Sequence, residues 1–229
     1  MKRLFILATA ACLLSACATS PTGRTQFMLI SPEAAIVESR TAYLSTVSDL
    51  DKQDKLSSDK ALAKRVATIT GRLVTVAMQE YPRSADWEWS VAVIDDPDTV
   101  NAWCMAGGRM AVYTGLFEQL KLTDAEFAQI MGHEISHALA NHTAELEADH
   151  LGMEIAVRAG YDPDAAVTLW EKMGSVGGDE RPPEFLSTHP APGNRQAALG
   201  AMANDMRQLN PTGDKAKIQP IQVLTADAQ

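Results

Sequence analysis

Two histidines four residues apart flank a glutamate in His133-Glu134-Ile135-Ser136-His137. On a helix, residues i and i+4 lie on one face, so both imidazoles can reach a single zinc ion while Glu134 stands beside them. Zinc lowers the pKa of a coordinated water toward neutrality, and an adjacent carboxylate can take the proton, so the trio reads as the core of a metal-dependent hydrolase. The helix that must carry it starts clearly. Thr123-Asp124-Ala125-Glu126 fits a capping box, in which the Thr hydroxyl and the Glu carboxylate each satisfy a backbone N–H, and Phe127, Ile130 and Met131 continue the apolar face to about Ala140.

The elements around that helix follow from pattern. Leu62, Val66, Ile69, Leu73 and Val76 recur at helical spacing from Lys60 to Tyr81, and Pro82 stops the run. Trp87, Trp89, Val91 and Val93 alternate with Glu88, Ser90 and Ala92, the period of a strand, before Asp95-Asp96-Pro97-Asp98 turns the chain. Gly107-Gly108 makes a tight turn into a second strand, Arg109 to Thr114. Further helices are expected from Glu145 to Gly160, from the Asp162-Pro163 start to Gly174, and from Arg195 to Leu209. Gly177 to Pro192 reads as loop, and the polar stretch from Asn210 as a loose tail.

Composition narrows the setting. With 20 Lys+Arg against 29 Asp+Glu the net charge is −9, and no basic stripe could neutralise a phosphate backbone, which argues against nucleic acid as a partner. Lys2 and Arg3 precede an apolar run from Leu4 to Leu13 that is too short to span a bilayer, and Leu14-Ser15-Ala16-Cys17 resembles the lipobox of bacterial lipoproteins. Cleavage before Cys17 and acylation of its thiol are expected, with Ala18 in place of the retention Asp directing the chain to the outer membrane, facing the periplasm. Cys12 then leaves with the signal and Cys17 carries lipid, so Cys104 has no disulfide partner and reads as a small buried hydrophobe.

The residues around the histidines resemble the M48 family of zinc peptidases. The likeness runs through Pro21-Thr22-Gly23-Arg24, Asn101-Ala102, Gly107-Gly108, Tyr113-Thr114-Gly115-Leu116, Gly132 to His137, Glu145-Leu146-Glu147-Ala148-Asp149, Ser187-Thr188-His189-Pro190 and Arg195. It implies an α+β fold, a mainly helical zincin-like domain with a small antiparallel sheet. It also implies one Zn2+ held by His133, His137 and Glu145, with Asp149 orienting a ligating His. His189 then either polarises the oxyanion or takes the fourth zinc position and holds the enzyme latent. Arg195 is implied to contact an oxyanion or substrate carbonyl. The Arg109–Thr114 strand is similar to the edge that pairs with an extended polypeptide substrate. The expected division is residues 1–16 signal, 17–30 lipidated tether, 31–209 peptidase domain and 210–229 flexible tail, with Trp87–Ile94 and Arg109–Thr114 paired antiparallel above the Thr123 helix.

One departure from the family bears on function. Only seven residues separate His137 from Glu145, where the family carries a long, mostly helical stretch. A helix running straight through would leave Glu145 about 12 Å along the axis from His137. A working site therefore requires the chain to reverse between Ala138 and Ala144, although Ala138, Leu139, Ala140 and Ala144 favour continuing the helix and only Asn141 suits a helix terminus. His142 is a fallback ligand in that link. Two functions follow: a zinc endopeptidase acting on unfolded or misassembled envelope proteins, or a non-catalytic lipoprotein that binds extended polypeptide with its metal site degenerate.

Overall fold

The computed structural model describes residues 17–19, 25–27, 30–140, 145–176, 184–189 and 194–226. The signal segment 1–16 and the link residues Asn141 and His142 lie outside them. Within the stretch read as a tether, β1 (Cys17–Thr19) pairs antiparallel with β2 (Thr25–Phe27), bringing Cys17 opposite Phe27.

Helix α1 (Pro32–Asp51) was not legible as a helix, because its core-facing residues are few and Tyr43 alone is fully buried. Its start is ordinary: Ser31 accepts from the Ala34 N–H, and Pro32 occupies the first turn, where no N–H is needed. Helix α2 (Lys60–Glu80) matches the predicted run, capped by Asp59 and closed before Pro82.

The sheet contains β3 (Ser90–Ile94), β4 (Ala102–Met105), β5 (Arg109–Tyr113) and β6 (Gln222–Leu224), in the order β4-β5-β3-β6. Alternation sorts its residues onto two faces. Val91, Val93, Met110 and Val112 face the main core with Ile69, Leu73, Phe127 and Ile130, while Ala92, Ile94 and Ala111 face Tyr43 and Val47 of α1. Both faces are thus covered, which is why β3 is buried along its whole length.

Three expectations are corrected here. The Trp87–Ile94 and Arg109–Thr114 segments do pair, but in parallel, with Ser90 opposite Arg109 and Ile94 opposite Tyr113. The cause is β4, a strand the alternation did not expose. The glycine turn joins β4 to β5 as an antiparallel hairpin, with Gly107 and Gly108 at φ +85° and +79°, so β5 must run back alongside β3 in the same direction. The sheet is therefore mixed, although the α+β class stands. Arg109–Tyr113 is consequently interior, and among the described residues the terminal strand on that side is β4. Finally, the tail does not hang loose: Ala216 N–H donates to Ala159, Gln219 N–H donates to Gly71, and β6 adds in parallel to β3.

The remaining helices are α3 (Thr114–Leu120), α4 (Asp124–Ala140), α5 (Glu145–Arg158), α6 (Ala165–Ser175), α7 (Glu184–Thr188) and α8 (Arg195–Met206). Helix α4 is buried nearly all round, as befits a central helix. Helix α6 begins at Ala165 because Asp162 spends its side chain on the Asp164 N–H in a preceding turn. Helix α7 falls inside the predicted loop and carries Phe185 into the core.

Candidate metal centre

The capping box forms as predicted: Glu126 accepts from the Thr123 N–H at 2.7 Å, and Thr123 Oγ1 accepts from the Glu126 N–H at 3.2 Å. From that start α4 carries His133, Glu134 and His137 to the underside of β4 and to the face of α5. Helix α4 ends at Ala140 and α5 begins at Glu145, so the helix does not run through. Of the link's own residues only Asn141 favours a stop. Part of the cause lies elsewhere, in Arg83, whose guanidinium donates to the Leu139 carbonyl at the end of α4. The sequence offered no local signal for a contact spanning that distance.

The reversal brings Glu145 back against the histidines. His133 Nε2 lies 3.1 Å from His137 Nε2, 3.3 Å from Glu145 Oε2 and 3.2 Å from His189 Nδ1. Glu145 Oε2 is 3.2 Å from His189 Nδ1, and Glu145 Oε1 is 3.6 Å from His137 Nε2. One donor atom from each of the four side chains lies within 4.8 Å of all the others. Four donors held at about 2.0–2.1 Å from a tetrahedral ion stand roughly 3.3–3.4 Å apart, so these separations suit one metal ion, and the N/O donor set suits zinc.

Behind this cluster the supporting contacts are close. Asp149 Oδ1 accepts from His133 Nδ1 at 2.9 Å, which leaves Nε2 to face the other donors. Arg195 donates to both oxygens of Asp149, at 2.7 and 2.6 Å, and to the His189 carbonyl at 3.3 Å. Arg195 is therefore buried beneath the donors, 2% exposed, and does not reach out toward a substrate carbonyl as expected of it.

Electrostatics follow from this crowding. Burial works against the charged form of His133, but the Asp149 and Glu145 carboxylates outweigh it and hold the imidazole at about 9. Burial likewise opposes ionisation of Glu145 and Asp149, yet His133 with His189 in one case and with Arg195 in the other holds both below the usual carboxylate range. Glu145 and Asp149 thus stay ionised beside the histidines, and their charge suits a cation, for which His133 must give up its proton. Glu134 differs: burial pushes its pKa up, and its Oε1, though 3.3 Å from His189 Nε2, makes no aligned hydrogen bond. A buried carboxylate oxygen without a bonded partner is what a proton acceptor awaiting a water or substrate looks like.

Glu134, His137, Glu145 and His189 open onto a cleft of about 300 Å³, walled by Trp103 and Cys104 of β4 and by Thr188. Desolvation raises the Cys104 thiol well above its ordinary value, although the residue is half-buried on the cleft wall and not the fully buried hydrophobe expected. Its place on the cleft wall was not foreseen, since β4 itself was not.

A two-histidine, one-glutamate donor set on adjoining helices, with a buried glutamate beside it, defines a metallopeptidase site of the H-E-x-x-H class. The chain belongs to peptidase family M48, whose model matches residues 60–146 and 143–203. Among its relatives, the mitochondrial metalloendopeptidase OMA1 of Arabidopsis thaliana is 34% identical over 52% of this chain and 32% of its own length. The human mitochondrial metalloendopeptidase OMA1 is 25% identical over 76% of this chain and 43% of its own. The β-barrel assembly-enhancing protease of Escherichia coli is 26% identical over 49% of this chain and 34% of its own. The matches span less than half the length of each of these relatives.

Proposed function

We propose that this protein is a zinc-dependent endopeptidase that cuts unfolded or misassembled polypeptides in the bacterial cell envelope, anchored to the outer membrane through lipid on Cys17 and facing the periplasm. The observation that carries the reading is the convergence of His133, His137, Glu145 and His189 beside Glu134, whose buried Oε1 faces His189 without an aligned hydrogen bond. A scaffold that merely bound polypeptide would have no use for both. The activities for which the relatives are named, metalloendopeptidase and protease, point the same way.

His133, His137 and Glu145 hold the ion, and Asp149 fixes the His133 ring. When bound, zinc supplies the acidification of a water and the polarisation of the scissile carbonyl. Glu134 takes the proton from the attacking water, its raised pKa bringing it nearer to neutrality as a base. Strand β4, terminal in the sheet and forming the cleft wall, offers backbone groups to an extended substrate, replacing β5 in that role. His189 occupies the fourth corner of the donor set, so turnover requires it to withdraw.

Casein hydrolysis by the Ala18–Gln229 fragment, with metal analysis of the same sample, tests the proposal. One zinc per chain and chelator-sensitive cleavage are expected. A metal-free, inactive fragment that still binds casein would replace it with the polypeptide-binding alternative. Palmitate labelling of the full chain and of Cys17→Ala tests the anchor.

A further inference from the structure

The guanidinium of Arg195 is held on its edge by Asp149 and on its face by an aromatic ring. Trp170, on α6 and 9% exposed, lies with its ring centroid 3.9 Å from Arg195 Cζ. A planar guanidinium stacks well on indole, and a desolvated contact of this kind is among the stronger cation–π arrangements. The N–H groups lie in the guanidinium plane, so the stacked ring fixes the plane in which they meet both oxygens of Asp149, the His189 carbonyl and, at 3.5 Å, Glu145 Oε2. The same Oδ1 atom of Asp149 accepts from Arg195 Nη2 and from His133 Nδ1. Any tilt of the guanidinium therefore moves the carboxylate that sets the His133 ring.

Beside these groups lies a small gap of about 20 Å³, bordered by His133, Asp149, Trp170, Phe185, Arg195 and Leu199. It is large enough for about one water and no more. Shortening Trp170 enlarges it and admits water that competes for the Arg195 donors.

We propose that Trp170 is a positioning residue of the metal centre, acting through Arg195 and Asp149 on His133, although it touches none of the four donor atoms. The inference rests on the metal-site reading above, and its tests separate the two.

Zinc titrated into the full chain against a chromophoric chelator supplies the first readout. Trp170→Leu is expected to weaken zinc binding about tenfold, the lower end of the loss seen when outer partners of metal ligands are removed. Trp170→Phe, which keeps a smaller ring face, should fall between wild type and Trp170→Leu, and serves alone if the leucine variant does not fold. In an Arg195→Lys background, which already lacks the bidentate grip, neither change should weaken zinc further. Nitrogen-15 NMR of the His133 ring gives a readout that loss of stability alone would not move: the Nδ1–H signal should broaden in Trp170→Leu while the protein stays folded. Wild-type zinc affinity in a folded Trp170→Leu protein, or effects that add to those of Arg195→Lys, overturns the proposal. Absence of zinc binding by the wild type overturns the metal-site reading itself.

Discussion

Gly132 and Gly152 lie against each other where α4 crosses α5, so closely that a Cβ on Gly132 would sit 2.5 Å from the Gly152 carbonyl oxygen, and one on Gly152 2.6 Å from the His133 backbone nitrogen. That approach, one residue before His133, lets Glu145 and Asp149 of α5 reach a histidine on α4. Gly152→Ala must push the helices apart, because backbone stands on both sides. It should cost about 1–3 kcal/mol of stability and weaken metal binding, since Asp149 and Glu145 recede together. Thermal melts and zinc titration check this; unchanged zinc affinity would show that the crossing does not set the site.

Glu134→Gln preserves size and hydrogen-bonding reach but cannot accept the proton of the attacking water. Turnover should fall by about 10²- to 10⁴-fold while zinc content stays at the wild-type level. Parallel metal analysis and casein hydrolysis decide it, and a variant with wild-type turnover removes Glu134 from the reaction.

Glu126 ties the start of α4 to α6, accepting from Lys172 at 2.6 Å and Thr168 at 2.9 Å as well as from Thr123. Burial opposes its charge, but these donors outweigh it and hold its pKa below the ordinary 4.5. Its folded pKa being the lower one, its contribution is full above the unfolded value and is lost as pH falls through the folded value. Glu126→Gln should cost about 1.5–3 kcal/mol at neutral pH, a difference that shrinks on acidification below 4.5. Denaturant melts of both proteins at several pH values measure it, and a constant difference down to strong acid contradicts the assignment.

The legibility of the sequence depended on distance. The capping box, the i,i+4 histidines and the apolar run of α2 are local patterns, and they appear where they were read. Strand β4 was missed because Trp103 and Met105 pack toward α1, and Cys104, with the Trp103 side chain, lines the cleft, so no polar face marks its period. The stop of α4 was recognisable only as a geometric requirement, since its Arg83 contact joins residues far apart in sequence. Arg195 stands out only through the family resemblance, and its burial against Asp149 and Trp170 depends on three helices meeting, which no single window contains.

His189 decides whether the described arrangement is open or closed. Its Nδ1 stands 3.2 Å from both His133 Nε2 and Glu145 Oε2, the spacing of a fourth donor rather than of a group waiting across the cleft. Structural zinc sites fill four corners with protein, whereas catalytic sites keep one free for water. With His189 in place the donor set would make a centre of the first kind. Phe185 stacks on the His189 ring at 4.7 Å, and its own N–H is bonded to the Val100 carbonyl, so the side chain is seated from below. His189→Ala should therefore weaken zinc binding while raising casein turnover at saturating zinc, because a corner has been opened. An oxyanion role makes the opposite prediction: removal of one such contact lowers turnover by about 10²- to 10³-fold with the metal retained. Turnover measured at full zinc loading separates the two, and a drop of that size assigns His189 to the oxyanion rather than to the latch.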